Sequence, residues 1–132
     1  MNPIKSIIES FKDQRAARYF DLFPELPGQI TVSVIMPQQF SGWHKHQRQT
    51  DQFFVAEGTI KVGIITPAGE TIEELLSAEH PETITIPPGH WHAWKSMGEK
   101  AFLVYHLSQK HDESDEIRET VEGISKRYGY QL

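Results

Sequence analysis

The apolar residues near the start of the chain recur every three or four positions, as on one face of a helix: Ile4, Ile7, Ile8 and Phe11. Asn2 can cap such a helix, and Pro3 suits its first helical position. The pattern predicts an N-terminal helix over about residues 3–20, whose apolar stripe packs on the domain or on a second subunit. Pro24 and Pro27 follow as breakers.

The period then changes to two, which is typical of a strand with one buried face. The first such strand is marked by Ile30, Val32, Val34 and Met36. Short β-type segments separated by turn residues follow at 51–56, 59–65, 71–76, 83–86, 90–95 and 101–107. Gly58, after Glu57, predicts a tight hairpin between the first two of these segments. Pro88 and Gly89 predict a type II turn.

Helical spacing returns near the end of the chain, where residues 114–127 place three apolar side chains along one side: Ile117, Val121 and Ile124. We therefore expect a C-terminal helix there. The whole pattern predicts one all-β domain over residues 1–132, with a barrel or sandwich core at about 30–108 and a helix on each flank.

Composition narrows the classes of function. The 132 residues are 38% hydrophobic and 23% charged, as in an ordinary globular domain. A net charge of −5 opposes the phosphates of nucleic acids, and the lack of cysteine removes thiolate ligands and nucleophiles. No run of about 18 apolar residues marks a membrane span, and no apolar block marks a secretion signal. We expect a cytoplasmic protein with no nucleic-acid or membrane partner.

Two histidine-rich segments carry the candidate chemistry. His44 and His46 are two residues apart in a β-type segment, so their side chains share one face and Trp43 faces away. His90 and His92 share a face by the same rule, directly after the predicted turn. The two segments can therefore bring three imidazoles into one pocket.

A carboxylate close to the first segment, Asp51, completes a candidate metal site. Neutral imidazoles and carboxylates are suitable ligands for a divalent transition metal, here Fe, Mn, Zn or Ni. The same side chains can also serve as general acids and bases. The predicted metal ligands are His44, His46, Asp51 and His92.

These residues resemble the two sequence motifs of the cupin superfamily. The first motif, His-x-His followed by a carboxylate and a glycine, is matched by His44, His46, Asp51 and Gly58, with aspartate in place of the usual glutamate. The second, Pro-x-Gly-x-x-His, is matched by Pro87, Gly89 and His92. The resemblance covers about residues 30–108. It implies a single-domain jelly-roll β-barrel with a site inside one end.

A narrower resemblance is to the dTDP-4-dehydrorhamnose 3,5-epimerases. Gly42-Trp43-His44 is similar to their Gly-Leu-His segment, and Tyr105 follows His92 by 13 residues, where they carry a catalytic tyrosine. The resemblance implies an enzyme that acts on a keto sugar, free or nucleotide-linked. His44 would be the general base that removes the proton beside the ketone, and Tyr105 the general acid. This mechanism requires no cofactor.

Two alternatives stay open: a metal-dependent cupin enzyme, and a non-enzymatic cupin that binds a sugar or another small ligand. Both are favoured by Ser41 and Asp51, which replace a phosphate-binding arginine and a lysine of the epimerases. The residues expected to contact a carbohydrate are Trp43, His46, Gln52, His90 and Trp94. We also expect a homodimer, because exposed sheet edges gain from a partner.

Overall fold

The computed structural model describes residue 5 and residues 7–132, which form two antiparallel sheets. The strands are β1 (Ser10–Lys12), β2 (Ala16–Tyr19), β3 (Gln29–Ile35), β4 (Trp43–His46), β5 (Asp51–Glu57), β6 (Thr59–Ile65), β7 (Thr71–Ser77), β8 (Thr83–Ile86), β9 (Trp91–Ser96), β10 (Ala101–Leu107) and β11 (Glu116–Glu119). The larger sheet has the order β1-β2-β3-β10-β5-β8, and the smaller sheet has the order β11-β4-β9-β6-β7. The predicted all-β jelly roll is confirmed.

The connection at Gly58 differs from the predicted hairpin. β5 pairs with β10 and β8 in the larger sheet, whereas β6 pairs with β7 and β9 in the smaller one. The turn therefore carries the chain from one sheet to the other. Gly58 has the positive φ, 78°, that a turn glycine supplies, and a Cβ added there would also collide with the backbone oxygen of Lys100.

The predicted N-terminal helix is wrong over the described residues, because β1 and β2 are strands at the edge of the larger sheet. β2 pairs with β3 in a register that sets Ala16 opposite Ile35, and Asp13 turns the chain before it by accepting the Ala16 N–H at 3.1 Å. Pairing with an existing sheet outweighs the weak propensity of a short helix. The predicted cap and first turn, at residues 1–4 and 6, lie outside the described residues.

Only the last part of the predicted C-terminal helix is helical, as α1 (Val121–Tyr128). Thr120 caps it by accepting the Gly123 N–H at 3.0 Å. The preceding residues form a 3₁₀ turn at Glu113–Asp115 and then β11, which pairs with β4. β11 supplies the backbone partners that β4 needs along this edge, so the segment is extended although its sequence has helical spacing.

Two apolar clusters stabilise the fold. One fills the space between the sheets: Ala16, Ile35, Phe53, Val55, Ile60, Val62, Ile64, Leu76, Ile86, Trp94, Ala101 and Leu103. The other includes Ile124 of α1 and residues of β4, β6 and β9: Trp43, Ile65, Trp91, Ala93 and Ile124. Within residues 7–132, no helix combines the length and the apolar character that a membrane crossing needs.

Candidate metal centre and cavity

Strand pairing brings the two histidine segments together. In the antiparallel pair β4–β9, His44 is the direct cross-strand partner of His92, and the two ring centroids lie 4.2 Å apart. His46 lies on the same face of β4, with its ring centroid 5.8 Å from that of His92. Asp51 begins β5 on the larger sheet and faces them. Ligand atoms of His44, His46, Asp51 and His92 all lie within 4.8 Å of one another.

Three members of this cluster are almost completely buried. The exposed fractions of His46, Asp51 and His92 are 4%, 3% and 2%, whereas His44 is half-buried. Buried polar side chains are costly unless they are paired or bind a metal. Burying these polar side chains together costs free energy of folding, which indicates that the cluster has a functional role.

The hydrogen bonds of His92 set a constraint on the cluster. Its Nδ1 lies 3.0 Å from the backbone oxygen of His90, which can only accept a hydrogen bond. Its Nε2 lies 3.1 Å from Oδ2 of Asp51, which also only accepts when ionised. A neutral imidazole carries one N–H and can donate to only one of these two acceptors. A metal ion held by His92 and Asp51 would leave the other ring N–H of His92 to donate to the His90 oxygen.

The charge states in the cluster suit metal binding. Burial lowers the pKa of His44 to about 3, and the neighbouring His92 and His46 contribute in the same direction. Burial also lowers the pKa of His46. Burial raises the pKa of Asp51, but hydrogen bonds from His92 and Gln49 outweigh it, so the pKa lies below the ordinary value. Neutral imidazoles and an ionised carboxylate are the forms that bind a metal.

The lowered pKa of His44 predicts how pH affects the stability of the metal-free protein. Between about pH 6.5 and about pH 3, His44 binds a proton in the unfolded chain but not in the folded one. Stability should therefore fall as the pH decreases through this window. In His44→Gln, urea midpoints at about pH 7 and about pH 4.5 should differ less than in the original protein. An unchanged difference, or the same change in the exposed-site control His80→Gln, would contradict this.

The loop between β4 and β5, which precedes Asp51, is held in place by Asp115, a residue that the sequence analysis did not single out. The carboxylate of Asp115 is completely buried and accepts the backbone N–H groups of Arg48 at 2.9 Å and Gln49 at 3.1 Å. Its Oδ2 lies 3.9 Å from Nδ1 of His46. The Gln49 amide donates to Asp51 Oδ1 at 2.6 Å. Asp115 comes from a polar tail far along the chain, where no motif marks it.

A cavity of about 660 Å³ opens beside the cluster. His44, His46 and Asp51 line it together with Trp94 and Tyr105, so the predicted catalytic pair shares one space. The Tyr105 hydroxyl oxygen lies 3.3 Å from Oγ of Ser33, and burial raises the pKa of Tyr105. The phenol is therefore protonated at neutral pH.

Three residues predicted to contact a sugar are not brought to this cavity. Trp43 packs on the opposite face of β4, edge-on to Tyr130 with ring centroids 5.9 Å apart. Gln52 is exposed, and its amide donates to Thr85 at 3.2 Å. Nδ1 of His90 lies 3.1 Å from the Pro88 backbone oxygen, within the turn. Successive side chains of a strand point to opposite faces, so Trp43 and Gln52 point away from the cavity because their neighbours His44 and Asp51 point towards it.

Residues 13–116 match a family model described as the polysaccharide biosynthesis C-terminal domain. The chain is 28% identical over 110 residues to a probable low-salt glycan biosynthesis epimerase of Haloferax volcanii, covering 77% of this chain and 69% of that protein. Its fold is similar to that of the capsular polysaccharide assembling protein CapF from Staphylococcus aureus, with a TM-score of 0.78 and 22% identity over 89% of this chain. This alignment spans 33% of the CapF chain.

A second solved structure is comparable in size. A dTDP sugar isomerase from Desulfovibrio desulfuricans G20 aligns with a TM-score of 0.72 and 17% identity, covering 96% of this chain and 87% of that one. At these identities the two structures show the jelly-roll fold alone. The family model extends over both histidine segments and most of the chain. The chain therefore belongs to the polysaccharide biosynthesis C-terminal domain family, and its fold is the jelly roll that the resemblance to cupins implied.

Proposed function

We propose that this chain is a metal-dependent cupin enzyme of the epimerase or isomerase type, acting on a keto sugar. The observation that carries the proposal is the convergence of four ligand atoms within 4.8 Å, on His44, His46, Asp51 and His92. The similarity to a probable glycan biosynthesis epimerase supports the carbohydrate substrate. The surroundings of His92 support a cation in the cluster, since a neutral ring has one N–H and cannot donate to both the His90 backbone oxygen and the Asp51 carboxylate.

The proposed ligands would hold Fe, Mn, Zn or Ni, which imidazole and carboxylate donors suit. When bound, such an ion acts as a Lewis acid that polarises the keto oxygen and makes the neighbouring C–H acidic. The buried surroundings of His46, Asp51 and His92 exclude water from the same side. The half-buried His44 borders the cavity where the sugar would bind.

Tyr105 is the proposed proton donor. Its hydroxyl lies on the cavity wall beside Ser33, and burial keeps it protonated by raising its pKa. A protonated phenol can return a proton to the carbon beside the ketone, or donate a hydrogen bond to the enolate oxygen. Inversion also requires a base that first removes the C–H proton from the other face, and His44, on the cavity wall, would take that proton while His46, Asp51 and His92 hold the ion. Return of a proton by Tyr105 then completes the epimerisation.

Metal analysis tests the proposal. Protein purified without a histidine tag should contain about one equivalent of Fe, Mn, Zn or Ni, and His46→Ala should lose it because a buried ligand is removed. His80→Ala, at an exposed histidine, serves as the control and should retain the metal. Wild-type protein that stays metal-free after incubation with each of these ions would overturn the metal-dependent proposal.

A second candidate is the metal-free epimerase, in which His44 is the general base. It is favoured by the lowered pKa of His44, which leaves the imidazole neutral and able to accept a proton at the cavity wall. Metal-free protein that exchanges solvent deuterium into a nucleoside-diphosphate 4-keto sugar, and loses this exchange in His44→Ala, would support it. Thermal stabilisation by the sugar without any exchange would instead indicate a binding protein.

A further inference from the structure

One positively charged side chain lies on the inner face of the larger sheet. Arg18 of β2 is the cross-strand partner of Ser33 of β3. Ser33 is 1% exposed and lines the cavity, and cross-strand partners point to the same face of a sheet. Arg18 lines the same cavity and is half-buried. β2, the second strand of the larger sheet, thus directs a guanidinium group into the space beside the candidate metal centre.

Arg18 differs from the other two arginines that line the cavity. Arg15 pairs with Asp13 at 3.1 Å, and Arg118 pairs with Glu116 at 2.9 Å. Among residue 5 and residues 7–132, Arg18 forms no ion pair. A half-buried guanidinium with no internal carboxylate gains strongly from an external anion, because the charge is already partly desolvated.

The surroundings of Arg18 offer further donors to such an anion. Tyr105 and Ser33 place their hydroxyl oxygens 3.3 Å apart on the same wall. Thr31, the cross-strand partner of Tyr105, also lines the cavity. Burial raises the pKa of Tyr105, whereas the charge of Arg18 opposes this rise, as expected for a cation close to the phenol. A guanidinium beside several hydroxyl groups matches the oxygen-rich surface of a phosphate.

Ser41 occupies the position at which the epimerases have their phosphate-binding arginine, so the positive charge has to come from another strand. In the epimerases that the sequence resembles, an arginine at this position contacts phosphate. Here the Ser41 hydroxyl accepts the backbone N–H of Trp94 at 2.8 Å, so it is part of the strand connections. Any cation for the substrate must therefore come from elsewhere, and Arg18 is in the cavity.

We infer that Arg18 binds a phosphate group of the substrate, on the wall opposite the smaller sheet that carries the histidines. This inference rests on the proposed function, since it assigns the phosphate end of a sugar whose keto end faces the metal centre. In the larger sheet, β2 lies three strand positions from β5, which carries Asp51, so the two strands are about 14 Å apart. The side chain of Arg18 spans part of this distance. The remaining span suits a sugar ring with a phosphate at its anomeric carbon, as in a nucleoside-diphosphate sugar.

Calorimetric titration of the metal-loaded protein with uridine diphosphate, inorganic phosphate and oxalate tests the inference. Arg18→Met keeps the aliphatic stem but removes the charge, and should weaken uridine diphosphate binding by about 10- to 100-fold. Arg18→Lys should retain part of the affinity. The control Arg127→Met removes an arginine of α1 that lies outside the cavity and pairs with Glu119 at 3.9 Å, and should change binding by less than about threefold.

Several results would overturn the assignment. These are unchanged uridine diphosphate affinity in Arg18→Met, an equal loss in Arg127→Met, or no binding of phosphate probes to the wild-type protein. A dependence on Arg18 for oxalate alone would replace phosphate by carboxylate as the anion. The metal content of each variant separates the two proposals: retained metal with unchanged phosphate binding contradicts only the role of Arg18. Loss of metal from the wild type contradicts the proposed function instead.

Discussion

Tyr105→Phe is expected to slow solvent deuterium exchange into a nucleoside-diphosphate 4-keto sugar by about 10²- to 10⁴-fold, the usual contribution of a positioned general acid. The substitution removes one hydroxyl and leaves the ring, which packs edge-on to Phe53 with centroids 6.0 Å apart. Metal content and thermal midpoint should therefore stay close to the original values. The exchange rate can be followed by NMR loss of the substrate C–H signal.

Tyr19→Phe is the matched control for this substitution. Tyr19 adjoins Arg18 on β2 but is 40% exposed, so it points to the outer face of the larger sheet. It should exchange deuterium at the original rate. A Tyr105→Phe protein that retains exchange within a few-fold would remove Tyr105 from the reaction, and a similar loss in both variants would point to a general effect on the sheet.

Trp43→Ala should reduce the free energy of unfolding by about 3–5 kcal/mol, as is usual when a large buried aromatic side chain is truncated. Trp43 is 2% exposed and belongs to the cluster that includes Ile124 of α1. Urea unfolding followed by circular dichroism measures the change. The matched control Phe23→Ala removes an aromatic side chain that is 55% exposed, and should cost less than about 1 kcal/mol.

The same variant decides between the two roles of Trp43. A sugar-stacking tryptophan would lose ligand affinity while the fold kept its stability. The observed packing predicts the reverse: a large fall in stability, with uridine diphosphate affinity retained at temperatures where the variant is folded. An unfolding free energy equal to that of the wild type would contradict this placement.

The cluster of three histidines and Asp51 could be predicted from the sequence because it depends on local rules. The period of two put His44 and His46 on one face, and the spacing of Asp51 and His92 resembled known motifs. Arg18 and Asp115 could not be predicted in the same way. Each reaches the site through pairing of β2 with β3 or β11 with β4, and that register depends on tertiary contacts.

The two wrong helix predictions and the wrong hairpin also depend on strand pairing that the sequence does not encode locally. Helical spacing in residues 3–20 and 114–127 was a real pattern, but sheet edges bound β2 and β11 as strands. The glycine at position 58 was correctly placed at a turn, yet one residue pattern fits both a hairpin and a crossing between sheets. The homodimer, the cytoplasmic location and the domain bounds stay predictions.

Because β11 pairs with β4, formation of the histidine site depends on the order in which the chain is synthesised. The strand that carries His44 and His46 gains its outer neighbour only when residues 116–119 have been made, some 70 positions later. A nascent or truncated chain ending before Asp115 would expose this strand as an open edge, prone to pair with another molecule. Assembly of the histidine site therefore has to wait for the last segments of the domain.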